Sequence, residues 1–323
     1  MTSVLPRLRV AIAFAAMLAP TANAFDVQGH RGARGLAPEN TIAAFKRALE
    51  IGVSTIETDV GITRDGVVVI AHDRRLNPAL TRGADGKWLA APGPAIRSLT
   101  LAELSAYDVG RLDPSTAYAK TWVRQVPADG ERIPTLDALF DLIKRSGQPV
   151  RVNLETKLSP NAPDETADPA TFARAVVDAL RKADFLDRAT LQSFDWRTLV
   201  EAKRLAPQLR TACLTTEGGS GDTVKAGDAG VSPWHAGLSL EKHGGSVPAL
   251  VKAAKCDIWS PFFRNVTPER LREARALGLA MLPWTVNDTA DMEALIDAEV
   301  DGIITDYPDR LRETLRTKGK SLR

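Results

Sequence analysis

Two kinds of segment alternate along this chain. Short runs rich in β-branched residues, FDVQGH (25–30), STIETDV (54–60), RVNLET (151–156) and ATLQSF (189–194), stand apart from stretches whose apolar positions recur every three or four residues. The latter include TIAAFKRALEIG (41–52), DPATFARAVVDALRKA (168–183) and WRTLVEAKRLAP (196–207). The order continues through LRTACLT (209–215), CDIWSPFF (256–263), AMLPWTV (280–286) and DGIITDYP (301–308), with TPERLREARALG (267–278) and DTADMEALIDAE (288–299) among them. Strand, helix, strand repeated about eight times predicts a parallel sheet covered by helices, and eight units favour a closed (β/α)8 barrel over an open doubly wound sheet.

Local punctuation agrees. Thr267-Pro268 sets a capping hydroxyl before a first-turn proline, Asn287 or Asp288 can cap the next helix, and Gly278 follows the last periodic residue of its segment. The stretch 73–132 breaks the alternation. It is rich in Pro, Gly and Asp, carries one clear helical pattern, SLTLAELSAY (98–107), and reads as an insertion after the second strand unit, over one rim of the barrel.

At the start of the chain Arg7 and Arg9 precede an apolar run (10–19) that leads to Ala22-Asn23-Ala24. That is the layout of a secretory signal cleaved after Ala24, and the run is too short to span a bilayer. Cleavage removes two arginines and no acidic residue, so the formal charge falls from +2 to zero and gives no bias toward nucleic acid. The expected organisation is therefore a signal peptide (1–24), one barrel domain (25–315) and a short tail (316–323), exported to the periplasm or medium without a stable membrane anchor. The two cysteines, Cys213 and Cys256, each lie in a run that reads as a buried strand. An oxidising compartment would permit a disulfide, but two separate small hydrophobes are the expectation.

In STIETDV the two-residue period of a strand puts Glu57 and Asp59 on one face, with Ile56, Thr58 and Val60 on the other. The same period in RVNLETK (151–157) aligns Asn153, Glu155 and Lys157. Carboxylates crowded inside a barrel repel one another unless a cation sits among them, and a hard ion such as Ca2+ or Mg2+ prefers an all-oxygen shell. The alternative is a buried salt-bridge network with Lys157 and Arg31. Of the four histidines, His30 and His72 follow apolar strand-like runs and would emerge at strand ends, where a pair can remove one proton and deliver another. His235 and His243 lie in a Gly-rich connection and read as surface or rim residues. Arg31, next to Gly32, offers a bidentate fork for phosphate oxygens.

Taken together, His30-Arg31-Gly32, Pro38-Glu39-Asn40-Thr41 before a helix with Phe45, Glu57-x-Asp59, His72-Asp73 and Asn153-x-Glu155-x-Lys157 closely resemble the glycerophosphodiester phosphodiesterase family. Gln192-Ser193-Phe194, Trp284-Thr285-Val286-Asn287 and Gly302-Ile303-Ile304-Thr305-Asp306-Tyr307-Pro308 extend the likeness over roughly residues 26–310. The resemblance implies a TIM barrel with a small inserted region, one divalent cation, Ca2+ or Mg2+, and hydrolysis of deacylated phospholipids to glycerol 3-phosphate and an alcohol. By position it makes His30 and His72 the acid/base pair, Glu57, Asp59 and Glu155 the metal ligands, and Arg31 and Lys157 the phosphate contacts. Trp284 would line the glycerol pocket, although a core aromatic is nearly as good a reading of it. Trp88 and Trp122, in the insertion, match no part of the family pattern.

Two other readings stand beside this one. A phospholipase D or sphingomyelinase-like barrel also uses two histidines and acidic ligands, but the Pro-Glu-Asn-Thr run and Asn153-x-Glu155-x-Lys157 speak against it. A barrel that only binds its ligand would not need the full set of chemical groups, all of which are present.

Overall fold

The computed structural model describes residues 25–225 and 231–320, so the expected signal peptide lies outside the described residues. Eight parallel strands form a nearly closed barrel: β1 (Asp26–Gly29), β2 (Thr55–Ile62), β4 (Arg151–Thr156), β5 (Ala189–Ser193), β6 (Arg210–Thr215), β7 (Ile258–Pro261), β8 (Ala280–Met281) and β9 (Gly302–Thr305). They are ordered β8-β7-β6-β5-β4-β2-β1-β9. Backbone bonds from Asp301 N to the Met281 carbonyl and from Ile304 N to the Pro283 carbonyl bring the two ends of the sheet together.

Outside the barrel lie α1 (Ile42–Ile51), α4 (Leu136–Ser146), α5 (Pro169–Ala183), α6 (Trp196–Leu205), α7 (Val247–Ala253), α8 (Pro268–Ala276), α9 (Thr289–Asp297) and α10 (Pro308–Thr317). Local chemistry sets their ends. The Thr41 hydroxyl accepts from Ala44 N at the start of α1, and Gly52 closes that helix at φ 83°, a left-handed conformation that costs glycine little. Thr267 caps α8 in the same way, whereas Asp288 at the head of α9 makes no side-chain cap bond. Helix α10 runs to Thr317, so the expected tail boundary falls inside it.

Alternate strand residues divide the labour. Ile56, Val60, Val152, Leu154 and Leu191 belong to the large buried cluster shared with the helices. Their neighbours form the interior, where the register sets Glu57 beside Asn153, Asp59 beside Glu155, and Glu155 beside Gln192. Gln192 is followed across the sheet by Ala212, Ile258 and Ala280, so the interior is polar on one side and apolar on the other.

The chain leaves this pattern after β2. Strand β3 (Val68–Ile70) turns back antiparallel on it, and the insertion that follows holds two short helices, α2 (Leu101–Leu104) and α3 (Ala117–Thr121), before α4 resumes the alternation. It has a small apolar cluster of its own: Val69, Leu76, Ile96 and Leu104. The helical pattern read at 98–107 thus yields a single turn at α2, fixed by a reciprocal cap between Thr100 and Glu103.

Two expectations are corrected. Cys213 and Cys256 form a disulfide, with Cα atoms 5.9 Å apart. Each reads as a lone hydrophobe in its own strand, but Cys256 lies two residues before β7, in the segment that leads into the strand paired with β6, and Asp257 N bonds the Thr211 carbonyl, which brings Cys256 beside Cys213. His235 is not a rim residue: it is buried, stacked on Trp196 at 4.3 Å, with neither ring nitrogen hydrogen-bonded. His243 is half-buried and bonds the Ser239 carbonyl.

Candidate active site

The carboxylates predicted to share a face meet inside the barrel mouth. Glu57, Asp59 and Glu155 are all buried, and one oxygen of each lies within 4.8 Å of those of the other two. Glu57 accepts from Arg31 N at 2.9 Å and from Gln192 at 2.7 Å. Gln192 is in turn held by Asn153, which also bonds Gln28, so a row of amides braces the acidic cluster from below. Asp59 accepts from Asn40 at 2.9 Å through one oxygen, and its other oxygen has no hydrogen-bond partner. Burial, with Asp59 and Glu155 close by, pushes the Glu57 carboxyl well above the ordinary carboxylate range. Asp59 goes the other way: burial opposes it, but His72, Lys157 and Arg31 hold its carboxyl below that range.

Lys157 and Arg31, expected at the phosphate, are both at this site and both paired. The Lys157 ammonium is 2.6 Å from Glu155 and 3.7 Å from Asp59. Arg31 bonds Glu39 at 2.5 Å, and its buried Nε, which donates no hydrogen bond, lies 3.4 Å from an Asp59 oxygen. Features of both sequence alternatives are therefore present, since the acidic cluster and its cationic partners coexist. The Pro-Glu-Asn-Thr motif acquires a physical meaning: Glu39 anchors Arg31, Asn40 anchors Asp59, and Thr41 starts α1.

The two histidines occupy unlike settings. His30, one residue beyond β1, is buried, and its Nδ1 lies 2.6 Å from Asp306 Oδ1. Burial lowers its pKa to about 4 against the opposing pull of Asp306, so the ring is neutral at neutral pH. His72, two residues beyond β3, is 30 % exposed at its side chain and bonds Asp73 at 2.9 Å. Both rings line a cavity of about 190 Å3 that also takes in Glu57, Glu155 and Lys157. Phe194 and Trp284 wall another part of it, edge to face at 5.3 Å, and the Trp284 indole donates to the Ser260 carbonyl.

A profile of the Glycerophosphoryl diester phosphodiesterase family matches residues 30–310. The chain belongs to this family. A Caldanaerobacter subterraneus glycerophosphodiester phosphodiesterase is 32% identical to it over 297 residues, spanning 91% of this chain and 98% of the relative. A crystal structure from Silicibacter pomeroyi, assigned to the same family, is 36% identical with a TM-score of 0.82, covering 93% of this chain and 96% of that one. An Oleispira antarctica phosphodiesterase solved with the product sn-glycerol-3-phosphate covers 90% of this chain and 96% of its own at a TM-score of 0.65; at 23% identity that likeness is one of fold. Family membership makes the chain a glycerophosphodiester phosphodiesterase, which disfavours the sphingomyelinase-like and binding-only alternatives.

Several residues at the site received no role in the sequence reading, although Asn287 and Asp306 lie within its quoted motifs. Asp306 is buried and held by three side chains: His30, Arg34 at 2.8 Å, and Asn287, which both donates to its carboxylate and accepts its backbone N–H. Its place one residue past β9 is the same strand-end signal that singles out His30. Arg34 lines the cavity, while Tyr118 and Trp122 come from the insertion, Tyr118 bonding Glu39 and Trp122 lying 4.3 Å from the Arg34 guanidinium. Nothing in the local sequence of 117–122 announces contacts to residues some 80 positions earlier.

Proposed function

We propose that this enzyme hydrolyses glycerophosphodiesters such as glycerophosphocholine and glycerophosphoethanolamine to sn-glycerol 3-phosphate and an alcohol, using one divalent cation, Ca2+ or Mg2+, and the histidines His30 and His72. The observation that carries this reading is a cluster of three buried carboxylates, two of which, Glu57 and Glu155, line one cavity together with both imidazoles, in a chain of this family. The product bound by the Oleispira phosphodiesterase supports the same substrate class.

The residues fit a hard cation. All three candidate ligands, Glu57, Asp59 and Glu155, offer oxygen, and the Asp59 oxygen that accepts no hydrogen bond, with the Lys157 ammonium 3.7 Å away, is a buried acceptor with capacity left for a cation. When bound, the ion supplies Lewis-acid polarisation of a non-bridging phosphate oxygen and offsets the repulsion among the carboxylates. Arg31 and Lys157 share the negative charge that grows on phosphate. The Asp306 contact keeps the His30 proton on Nδ1, so Nε2 carries the lone pair that accepts a proton from the nucleophile. His72, better exposed and next to Asp73, protonates the leaving alkoxide. The glycerol hydroxyl beside the phosphate is the nucleophile with the largest effective concentration. Its attack forms a cyclic phosphate that water then opens, and trapping that species in heavy-oxygen water distinguishes this route from direct water attack. Trp284 and Phe194 line the part of the cavity suited to the glycerol carbons.

Export to the periplasm or medium completes the proposal. Arg7, Arg9, the apolar run and the Ala-Asn-Ala site support it, as does a disulfide that an oxidising compartment maintains. The decisive assay follows sn-glycerol 3-phosphate release from glycerophosphocholine and glycerophosphoethanolamine with Ca2+ or Mg2+, before and after EDTA. Turnover that is indifferent to EDTA would remove the metal from the reading, and no release from either substrate would overturn it.

A further inference from the structure

A second space opens beside the catalytic cavity. It is a groove of about 420 Å3, and His72 and Lys157 line both. The two differ in size and in wall. The smaller cavity, about 190 Å3, includes Phe194 and Trp284; the groove is bordered by Asp73, Arg74, Arg75, Asn77 and Glu165, and among the described residues no Phe, Tyr or Trp lines it. Glu165 lies across the groove from the insertion's first turn, with Arg74 Nε donating to one oxygen at 2.8 Å and Arg75 3.6 Å from the other. Each oxygen keeps acceptor capacity beyond these contacts. Arg75 is exposed and has donors to spare, whereas Asn77 is already spent on Asp73 at 2.7 Å.

We infer that this groove receives the leaving alcohol, and that Glu165 and Arg75 select alcohols bearing hydrogen-bond donors, such as glycerol or ethanolamine, over the quaternary ammonium of choline. The inference rests on the phosphodiesterase reading above. Its geometry follows from His72, the one imidazole that borders both spaces. The group that protonates the leaving oxygen must face that oxygen, so whatever is attached to it extends from His72 into the groove. The glycerol phosphate half, common to every substrate, then occupies the smaller cavity beside His30. The chemistry follows from the wall. A trimethylammonium offers no N–H or O–H and is held best by the faces of Trp, Tyr or Phe, none of which lines the groove among the described residues. A hydroxyl or primary ammonium can donate to Glu165, and a hydroxyl can also accept from Arg75.

The test compares kcat/KM of the full-length enzyme, supplied with Ca2+ or Mg2+, on glycerophosphoglycerol, glycerophosphoethanolamine and glycerophosphocholine. The donor-bearing substrates should be preferred by about tenfold, the scale of one hydrogen bond to a charged group. Glu165→Ala should cut that preference to about threefold or less while turnover of glycerophosphocholine is retained, which also reports a folded enzyme. Glu165→Gln keeps an oxygen for Arg74 and should penalise the ethanolamine substrate more than the glycerol one, because the ammonium loses its counter-charge. A preference for choline, or substrate ratios unmoved in both variants, would overturn the assignment of the groove. Lack of turnover of all three by the parent enzyme would instead sink the phosphodiesterase reading, and this inference with it.

Discussion

The barrel mouth and the groove under the insertion meet at His72 and Lys157, yet they handle charge in opposite ways. In the mouth, Glu57 and Asp59 are at most 1% exposed, sit on strands, and are braced by Gln192, Asn40 and the Arg31 backbone. In the groove, Arg74, Arg75 and Glu165 are between 26% and 47% exposed and pair on irregular backbone. Burying a carboxylate costs several kcal/mol unless it is matched, so the mouth tolerates little variation, whereas solvent-screened pairs are worth about 1 kcal/mol or less and can be exchanged cheaply. The lesson is a division of work. Chemistry common to all substrates is held by the rigid barrel, and discrimination between them falls to the part that can change.

The largest effects should come from the mouth. Asp59→Asn or Glu57→Gln is expected to lower kcat by about 10^3-fold or more and to weaken cation binding in calorimetry. A loss of only a few-fold would place the cation elsewhere. Next, the two histidines should separate. His30→Ala is expected to cost about 10^2- to 10^4-fold with any leaving group, while the deficit of His72→Ala should shrink when the alcohol is replaced by p-nitrophenol, which leaves without a proton. Equal deficits on both substrates would reverse or erase the assignment of roles. Asp306→Asn should resemble His30→Ala, because the amide no longer favours the Nδ1–H tautomer.

Smaller changes test the frame that holds the mouth. The disulfide closes a loop across a sequence separation of 43, so Cys213→Ser with Cys256→Ser should lower stability by up to about 4 kcal/mol in denaturant melts while leaving the activity of folded protein unchanged. The smallest expected effect is acid sensitivity at His235, whose pKa burial lowers to about 4. Its unfolded value is near 6.5, so between pH 6.5 and 4 the unfolded chain binds a proton that the folded one refuses. Its neutral burial therefore costs nothing extra above pH 6.5, and stability falls as pH drops through that window. His235→Phe should keep the stacking on Trp196 and flatten the fall by up to about 3 kcal/mol, read as the difference in urea midpoints at pH 7 and pH 4.5. An unchanged pH profile would mean that the ring is not buried in its neutral form.

Alternation along single strands was enough to pair Glu57 with Asp59 and, separately, to align Asn153, Glu155 and Lys157, because a two-residue period leaves no other choice of face, while the β2–β4 register brought the two sets together. Strand-end placement found His30 and His72 for the same reason. Cap residues such as Thr41 and Thr267 were legible because a cap is a contact between residues three apart. The same local reading misjudged the cysteines and His235. Their settings depend on which strands and loops become neighbours, and the chain between Cys213 and Cys256, 43 positions apart, carries no mark of it.

By itself, then, the chain's pattern determined the barrel and the faces of its strands, since each of these repeats a short-range rule many times, and its spaced motifs carried the resemblance to the family. Tertiary structure alone decided that Asp306 grips His30 across 276 positions, that Tyr118 and Trp122 of the insertion reach Glu39 and Arg34, and that a second groove opens beside His72. The Asp306–His30 contact forms only once the sheet has curled and brought β9 against β1, and the others only once the insertion packs over the barrel mouth. No periodicity encodes a meeting between segments that are distant in sequence and joined only by closure of the barrel.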